Sequence, residues 1–106
     1  MMNYAALLAF SNDIAFNHNV KFRDADGKML KRTNRNGMLE SPLAMILSQP
    51  NQTALTIDVC FTGSDRHLGN VIVTKIDNET AQIESYHSRF AKLIPESEKA
   101  HAIAIG

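Results

Sequence analysis

Hydrophobic and polar positions alternate most regularly in the middle of the chain. In residues 54–62 the apolar side chains occupy every second position, at Leu55, Ile57, Val59 and Phe61. This alternation predicts a strand with one face on a core. Residues 71–76 are rich in β-branched side chains, and residues 81–86 follow a polar Asp-Asn-Glu-Thr turn. With a polar turn over residues 63–69, the pattern predicts three antiparallel strands in a meander.

The N-terminal segment has a helical pattern. Its apolar side chains near helical spacing are Tyr4, Leu7, Leu8, Phe10 and Ile14, and several alanines lie between them. This spacing predicts a helix over residues 3–15. A competing interpretation makes residues 13–23 a strand, because alternate positions from 14 to 22 share one parity of apolar or histidine side chains.

A second, shorter helix begins after Ser41. Serine is a favoured N-cap, and Pro42 suits the first helical position because it lacks the N–H that would go unpaired there. The side chains that then share one face are Leu43, Ile46 and Leu47, and the Gln-Pro-Asn of residues 49–51 ends the helix.

Residues 20–33 predict a β-hairpin. Val20 and Phe22 alternate with basic residues, and residues 24–27 end in a glycine that can adopt the positive φ of a turn. Residues 28–32 would then form the return strand. The Asn-Gly dipeptide within residues 33–37 predicts a second turn.

The C-terminal residues are ambiguous. Residues 88–94 suit a helical turn, Pro95 suits the start of another helix, and residues 101–105 alternate like a strand although their alanine content also suits a helix. The pattern contains no internal repeat. The order of elements predicts one α+β domain over residues 1–106, with a single antiparallel sheet of about five strands, a hairpin plus a three-strand meander, packed against an N-terminal and a short middle helix.

Composition narrows the class of protein. Of 106 residues, 44% are hydrophobic and 21% are charged, which fits a folded domain with one modest core and argues against disorder or a membrane protein. Eleven basic and eleven acidic side chains give zero formal charge, so a strongly polycationic or polyanionic protein is excluded. The apolar run at residues 5–10 is shorter than a secretory signal needs, and a lone cysteine suits a reducing compartment. We therefore expect a cytoplasmic protein that does not enter a membrane.

Cys60 is the first candidate for catalysis. By strand parity it shares a face with Asp58, and His67 follows in the next predicted turn, so the residue types of a nucleophilic site lie close in sequence. Reactive thiolates, however, favour helix N-termini or electropositive surroundings, and Cys60 lies within a predicted strand without a flanking signature. We therefore predict a structural thiol and a protein without catalytic activity.

The sequence contains no motif that is typical of a metal or cofactor site. The histidines are far apart in sequence, at positions 18, 67, 87 and 101, and Asp65 with His67 forms the one tight pair of candidate ligands. Zinc sites usually need about four ligands, some of them from one short motif. The glycines form no phosphate-binding loop. Neither a metal nor a cofactor is predicted.

Charge is the most informative feature of the sequence. Residues 18–37 hold six basic and two acidic side chains, whereas the rest of the chain holds five basic and nine acidic ones. These basic residues are the candidate binding residues: Lys21, Arg23, Lys28, Lys31, Arg32 and Arg35. Such a patch suits a phosphate backbone, with Phe22 free to stack if exposed, or an acidic protein surface. It would also suit a solvated hairpin that protects an edge strand from aggregation.

These observations predict a small intracellular binding or regulatory protein that acts through protein–protein contacts, as an accessory factor or inhibitor of a larger complex. The alternative is a nucleic-acid-binding protein that uses residues 20–37, and a third interpretation is a thiol-dependent enzyme centred on Cys60. The N-terminal helix offers a second, apolar surface. Most of it is expected to cover the sheet, and any part left exposed would give a self-complementary contact in a homodimer.

Overall fold

A single β-sheet of five strands runs through the molecule, and the computed structural model describes it together with all of residues 1–106. The strands are β1 (His18–Arg23), β2 (Thr53–Phe61), β3 (His67–Lys75), β4 (Ala81–His87) and β5 (Ile103–Ile105), and they lie in this order across the sheet. β1 to β4 pair antiparallel, and β5 pairs parallel with β4. The helices are α1 (Tyr4–Phe16), α2 (Pro42–Leu47) and α3 (Glu96–Lys99), with a 3₁₀ helix over Ser88–Leu93. The prediction of an α+β fold on one mainly antiparallel sheet is confirmed.

The two predicted helices of the first half form where the local signals place them. α1 begins after Asn3 and α2 after Ser41, and each of these side chains accepts a backbone N–H three residues further on, at 2.9 and 3.1 Å. The competing prediction of a strand over residues 13–23 is wrong for residues 13–16, which belong to α1. It is confirmed for residues 18–23, which form β1.

The partner of β1 differs from the prediction. Residues 28–32 form no strand and make a single bridge back to β1, between Arg23 and Met29. β1 pairs instead with β2. Pairing with β2 is more stable than pairing with residues 28–32, because it places Val20 and Phe22 beside the apolar face of β2, where both side chains are buried. An isolated hairpin could not bury them.

Two further boundaries differ. β3 begins at His67, inside the segment predicted as a turn, which leaves only residues 62–66 between β2 and β3. The C-terminal residues contain the predicted helical turn, as the 3₁₀ helix, and the predicted helix start after Pro95. Their last residues form β5, so the fifth strand of the sheet comes from the C-terminal segment and not from residues 28–32.

The hydrophobic core lies on one face of the sheet. Side chains of α1 such as Leu7 and Phe10, and Ile46 of α2, pack there with Phe22 and Ile57 of the strands. On β1 the core side chains alternate with half-exposed basic ones, which point to the opposite face. On that outer face Lys21 and Arg23 of β1 lie beside Asp58 of β2 and His67 of β3. None of the helices is both long and apolar enough to cross a membrane.

Candidate binding surface and polar cleft

Two small loops with the same hydrogen bonds follow β1. The Oδ1 of Asp24 accepts the backbone N–H groups two and four residues later, both at 2.9 Å. The Oδ1 of Asn34 accepts the equivalent groups at 2.9 and 3.1 Å. Each loop contains a glycine at positive φ, Gly27 at 83° and Gly37 at 76°, and each is closed by a backbone bridge. We call residues 24–40 the double loop.

The sequence of the double loop carries a signal for this geometry. Residues 24–27 read Asp-Ala-Asp-Gly and residues 34–37 read Asn-Arg-Asn-Gly, so both follow the pattern Asx-x-Asx-Gly. The first side chain supplies the hydrogen-bond acceptor, and the glycine supplies the positive φ that other residues rarely adopt. The double loop therefore contains the same turn motif twice. Hydrophobic periodicity could not reveal the repeat, because the pattern is made of polar residues and glycine.

Arg32, one of the six candidate binding residues, holds the double loop against β1. Its Nε donates to the carbonyl oxygen of Glu40 at 2.8 Å, and its Nη1 donates to that of Val20 at 3.3 Å. The guanidinium also lies 5.4 Å from the centroid of the Phe22 ring. Burial lowers the pKa of Arg32 from its ordinary value. Phe22 is itself fully buried, so the expectation that its ring could stack on a base is wrong.

Lys21 and Arg23 lie on the outer face of β1, and each already has an acidic partner. The Nζ of Lys21 lies 2.8 Å from the Oδ1 of Asp65. The Nε and Nη2 of Arg23 donate to the two carboxylate oxygens of Asp58 at 2.7 and 2.8 Å. The hydrogen bond with Asp65 raises the pKa of Lys21, and the one with Asp58 raises the pKa of Arg23. Their positive charges are therefore balanced within the molecule.

The other three candidates, Lys28, Lys31 and Arg35, are exposed on the double loop, and none of them forms an ion pair. The same segment exposes large apolar side chains that sequence reasoning missed: Met29, Met38 and Leu39 are 53%, 66% and 67% exposed. Their signal in the sequence was an apolar residue just beyond each polar turn, one position after Lys28 in the first case and directly after Gly37 in the second. We call these three basic and three apolar residues the loop surface.

A groove lies between the double loop and α2. It has a volume of about 420 Å³, and its lining includes Leu30, Lys31 and Glu40 of the double loop with Ala44 and Met45 of α2. The lining combines apolar side chains with one basic and one acidic group. Such a groove can take one apolar side chain of a partner beside a charged neighbour.

The outer face of the sheet holds a polar cleft of about 300 Å³. Its lining residues are Lys21, Arg23, Asp58, Cys60, Asp65 and His67. In the β2–β3 register Cys60 lies opposite His67, next to a register shift. The structure therefore brings together the cysteine, histidine and aspartate that the sequence analysis considered as a nucleophilic site.

The charged groups of the polar cleft are already paired. Arg23 bonds both oxygens of Asp58, and the Nε2 of His67 lies 3.6 Å from the Oδ1 of the same carboxylate. The Cys60 side chain is a free thiol in a residue that is only 2% exposed. No group of three or more His, Cys, Asp or Glu side chains in the chain is arranged to hold a metal ion.

Comparison with known proteins gives no match: no family model fits the chain, and neither a curated protein nor a solved structure is similar to it.

Proposed function

We propose that this protein is a binding module whose loop surface docks on an acidic protein surface. One observation carries the proposal: three exposed basic side chains without an ion pair lie in the same segment, residues 24–40, as three apolar side chains that are more than half exposed. Of these side chains, Arg35, Met29 and Met38 belong to the residue types that are enriched in protein–protein interfaces. Basic side chains without an internal partner attract and orient an acidic one.

The double loop presents this surface in a defined conformation. Asp24 and Asn34 hold the two turns through their side chains, and Arg32 ties the end of the loop to β1. A surface that is ordered before binding loses less conformational entropy when a partner docks. The groove beside α2 would accept an apolar side chain of the partner, while neighbouring acidic residues pair with the free basic ones.

A protein partner fits the loop surface better than nucleic acid does. Of the six basic candidates, Lys21, Arg23 and Arg32 are engaged within the molecule, which leaves three for phosphate groups. Three phosphate contacts would give only a modest salt dependence, with a log–log slope of about −3. The exposed apolar side chains would face a phosphate backbone without any apolar counterpart.

We also propose that the protein acts by binding and not by catalysis, as an accessory factor or inhibitor of a larger complex in a reducing compartment such as the cytoplasm. In support, the Asp58 carboxylate is held by Arg23, and Cys60 is buried. A carboxylate already bound to arginine is a poor partner for a catalytic imidazole, and a buried thiol is a poor nucleophile.

The test is a selection from a random peptide library displayed on phage, with the full chain as bait. We expect selected peptides to combine Asp or Glu with apolar side chains. Reversal of two free charges, Lys28→Glu with Lys31→Glu, should weaken the binding of a selected peptide by at least about tenfold. The matched control, Arg66→Glu with Arg89→Glu, reverses two exposed charges outside the double loop and should leave the affinity unchanged.

Selected peptides without acidic residues, or equal effects of the two double variants, would contradict the proposal. Arg32 is kept in both variants because its loss would loosen the double loop. A titration of the same proteins with labelled single- and double-stranded nucleic acid at several salt concentrations tests the alternative. Tight binding with a slope magnitude of about three, lost in the Lys28→Glu, Lys31→Glu variant, would replace the acidic protein by nucleic acid.

A further inference from the structure

The solvent-facing side of α1 is mainly apolar, with the exposed Asn12 as its one uncharged polar side chain. Tyr4, Leu8 and Phe16 are 48%, 40% and 83% exposed, and the exposed Ala5 and Ala9 lie on the same side of the helix. α1 contains one charged residue, Asp13, near its C-terminal end. A helix at the surface of a folded domain ordinarily carries polar and charged side chains on its outer side. An exposed apolar side of this kind marks an interaction surface.

A groove adjoins this apolar side. It has a volume of about 300 Å³, and its lining includes Ala6, Ala9 and Phe10 of α1 with Leu93 and Pro95 beyond it. The same groove is lined by Asp13 and Lys92, which are exposed and take part in no ion pair. The surface therefore combines protruding apolar side chains, an apolar groove, and one free charge of each sign.

We propose that two copies of this chain form a homodimer through the outer side of α1 and the adjoining groove. In a two-fold dimer the same surface serves both copies, so every group must find its complement on that surface. Here Phe16 of each copy can enter the groove of the other. Asp13 of each copy then faces Lys92 of the other, which satisfies both free charges twice. The surface is therefore complementary to itself in both shape and charge, which favours a second copy of this chain as the partner.

The surface is small for a dimer interface. Complete burial of an aromatic side chain covers about 150–250 Å². Because Tyr4, Leu8 and Phe16 are only partly exposed, these side chains with the groove lining give an interface of at most on the order of 1,000 Å² in total for the two copies. This is at the lower end for a specific complex. We therefore expect a weak dimer that dissociates on dilution. It uses no residue of the loop surface, so it stands or falls independently of the proposed function.

Sedimentation velocity on the full chain, from low micromolar to near-millimolar concentration, tests the dimer. We expect a shift from monomer to dimer in this range. Phe16→Asp should weaken dimerisation by at least about tenfold. The matched control Leu39→Asp introduces the same charge at a side chain of similar exposure on the double loop, and should not change the dimer. Circular dichroism confirms that both variants are folded.

A charge swap makes the test specific for the two-fold contact. Asp13→Lys alone and Lys92→Asp alone each bring like charges together twice, so each should weaken the dimer. The combined variant restores opposite charges and should recover the affinity of the unchanged protein. A protein that stays monomeric at all concentrations would overturn the proposal and assign the apolar side of α1 to a different macromolecule. A dimer insensitive to Phe16→Asp, or a combined variant as weak as the single ones, would overturn it as well.

Discussion

Arg23 donates to both carboxylate oxygens of Asp58, with its Nε 2.7 Å from Oδ2 and its Nη2 2.8 Å from Oδ1. The pair joins β1 to β2 on the outer face of the sheet. Its members differ in burial, since the side chain of Asp58 is 11% exposed whereas that of Arg23 is 37% exposed. Loss of one partner therefore has different consequences from loss of the other.

Arg23→Met should destabilise the protein more than Asp58→Asn. The first change leaves a buried carboxylate without its two-fold hydrogen-bond partner, although His67 and Lys21 line the same cleft, and we expect it to lower the free energy of unfolding by about 3 kcal/mol. The second leaves a guanidinium that can reach water, with a loss of about 1 kcal/mol. Urea unfolding compares the two variants. A combined variant should lose less than the sum of the single losses, and equal single losses would contradict the predicted asymmetry.

Arg32 bridges the carbonyl oxygens of Glu40 and Val20. Because an ammonium group has no planar fork, Arg32→Lys should cost nearly as much stability as Arg32→Met, about 1–3 kcal/mol. Lys31→Met, at the exposed neighbouring position, should change the free energy of unfolding by less than about 0.5 kcal/mol. Thermal unfolding followed by circular dichroism measures all three. A fully stable Arg32→Lys variant would mean that positive charge alone holds the double loop.

Gly69 lies directly against His87. A Cβ added at Gly69 would lie 2.6 Å from the Cβ and from the Cγ of His87. Gly69→Ala should therefore lower the free energy of unfolding by about 1–3 kcal/mol, although alanine ordinarily strengthens a strand relative to glycine. In a His87→Gly background, which lacks the obstructing side-chain atoms, Gly69→Ala should leave the free energy of unfolding unchanged. Equal costs in both backgrounds, measured by urea unfolding, would show that the contact is not the cause.

Asp77 gives the stability of the protein a defined response to acid. Its Oδ1 accepts the N–H of Glu79 at 2.9 Å, and this hydrogen bond is the main reason that the pKa of Asp77 lies below its ordinary value of 3.8. At a pH between the two values the unfolded chain takes up a proton that the folded protein does not. The stabilisation is therefore complete above about pH 4 and is lost as the pH falls through the lower, folded value.

Asp77→Asn tests this response. The amide keeps an oxygen that can accept from Glu79 but does not titrate, so the variant should lose less stability than the unchanged protein between about pH 5 and about pH 3. Urea unfolding midpoints at the two pH values measure the difference. If the midpoints of both proteins fall equally, the carboxylate of Asp77 makes no contribution to the acid response.

The elements predicted correctly are those with local causes. The strand predicted over residues 54–62 forms as Thr53–Phe61, because its alternation needs only one apolar face. α2 begins after Ser41 because the serine side chain bonds a backbone N–H within the same turn. The parallel strand Ile103–Ile105 was left ambiguous, because a strand this short gains its stability from its neighbour and not from its own pattern.

The candidate binding residues are predicted from charge alone, and charge alone does not show which of these basic side chains form ion pairs in the folded protein. Arg23 and Asp58 lie 35 positions apart in the sequence, and Lys21 meets Asp65 only because the β2–β3 turn lies beside β1. Whether a basic side chain is free or paired depends on such long-range contacts. The exposed Met38 and Leu39 were missed for the same reason, since an apolar residue in a sequence is ordinarily assigned to the core.

The turns of the double loop and the start of α2 follow from local sequence, because Asp24, Asn34 and Ser41 each bond backbone groups within four residues, at distances that chain connectivity dictates. The strand that lies beside β1, and with it the set of basic side chains that stay unpaired, depends on long-range packing. Strand register sets the distance between side chains that are remote in sequence, and ion pairs form or fail within a few ångströms of that distance.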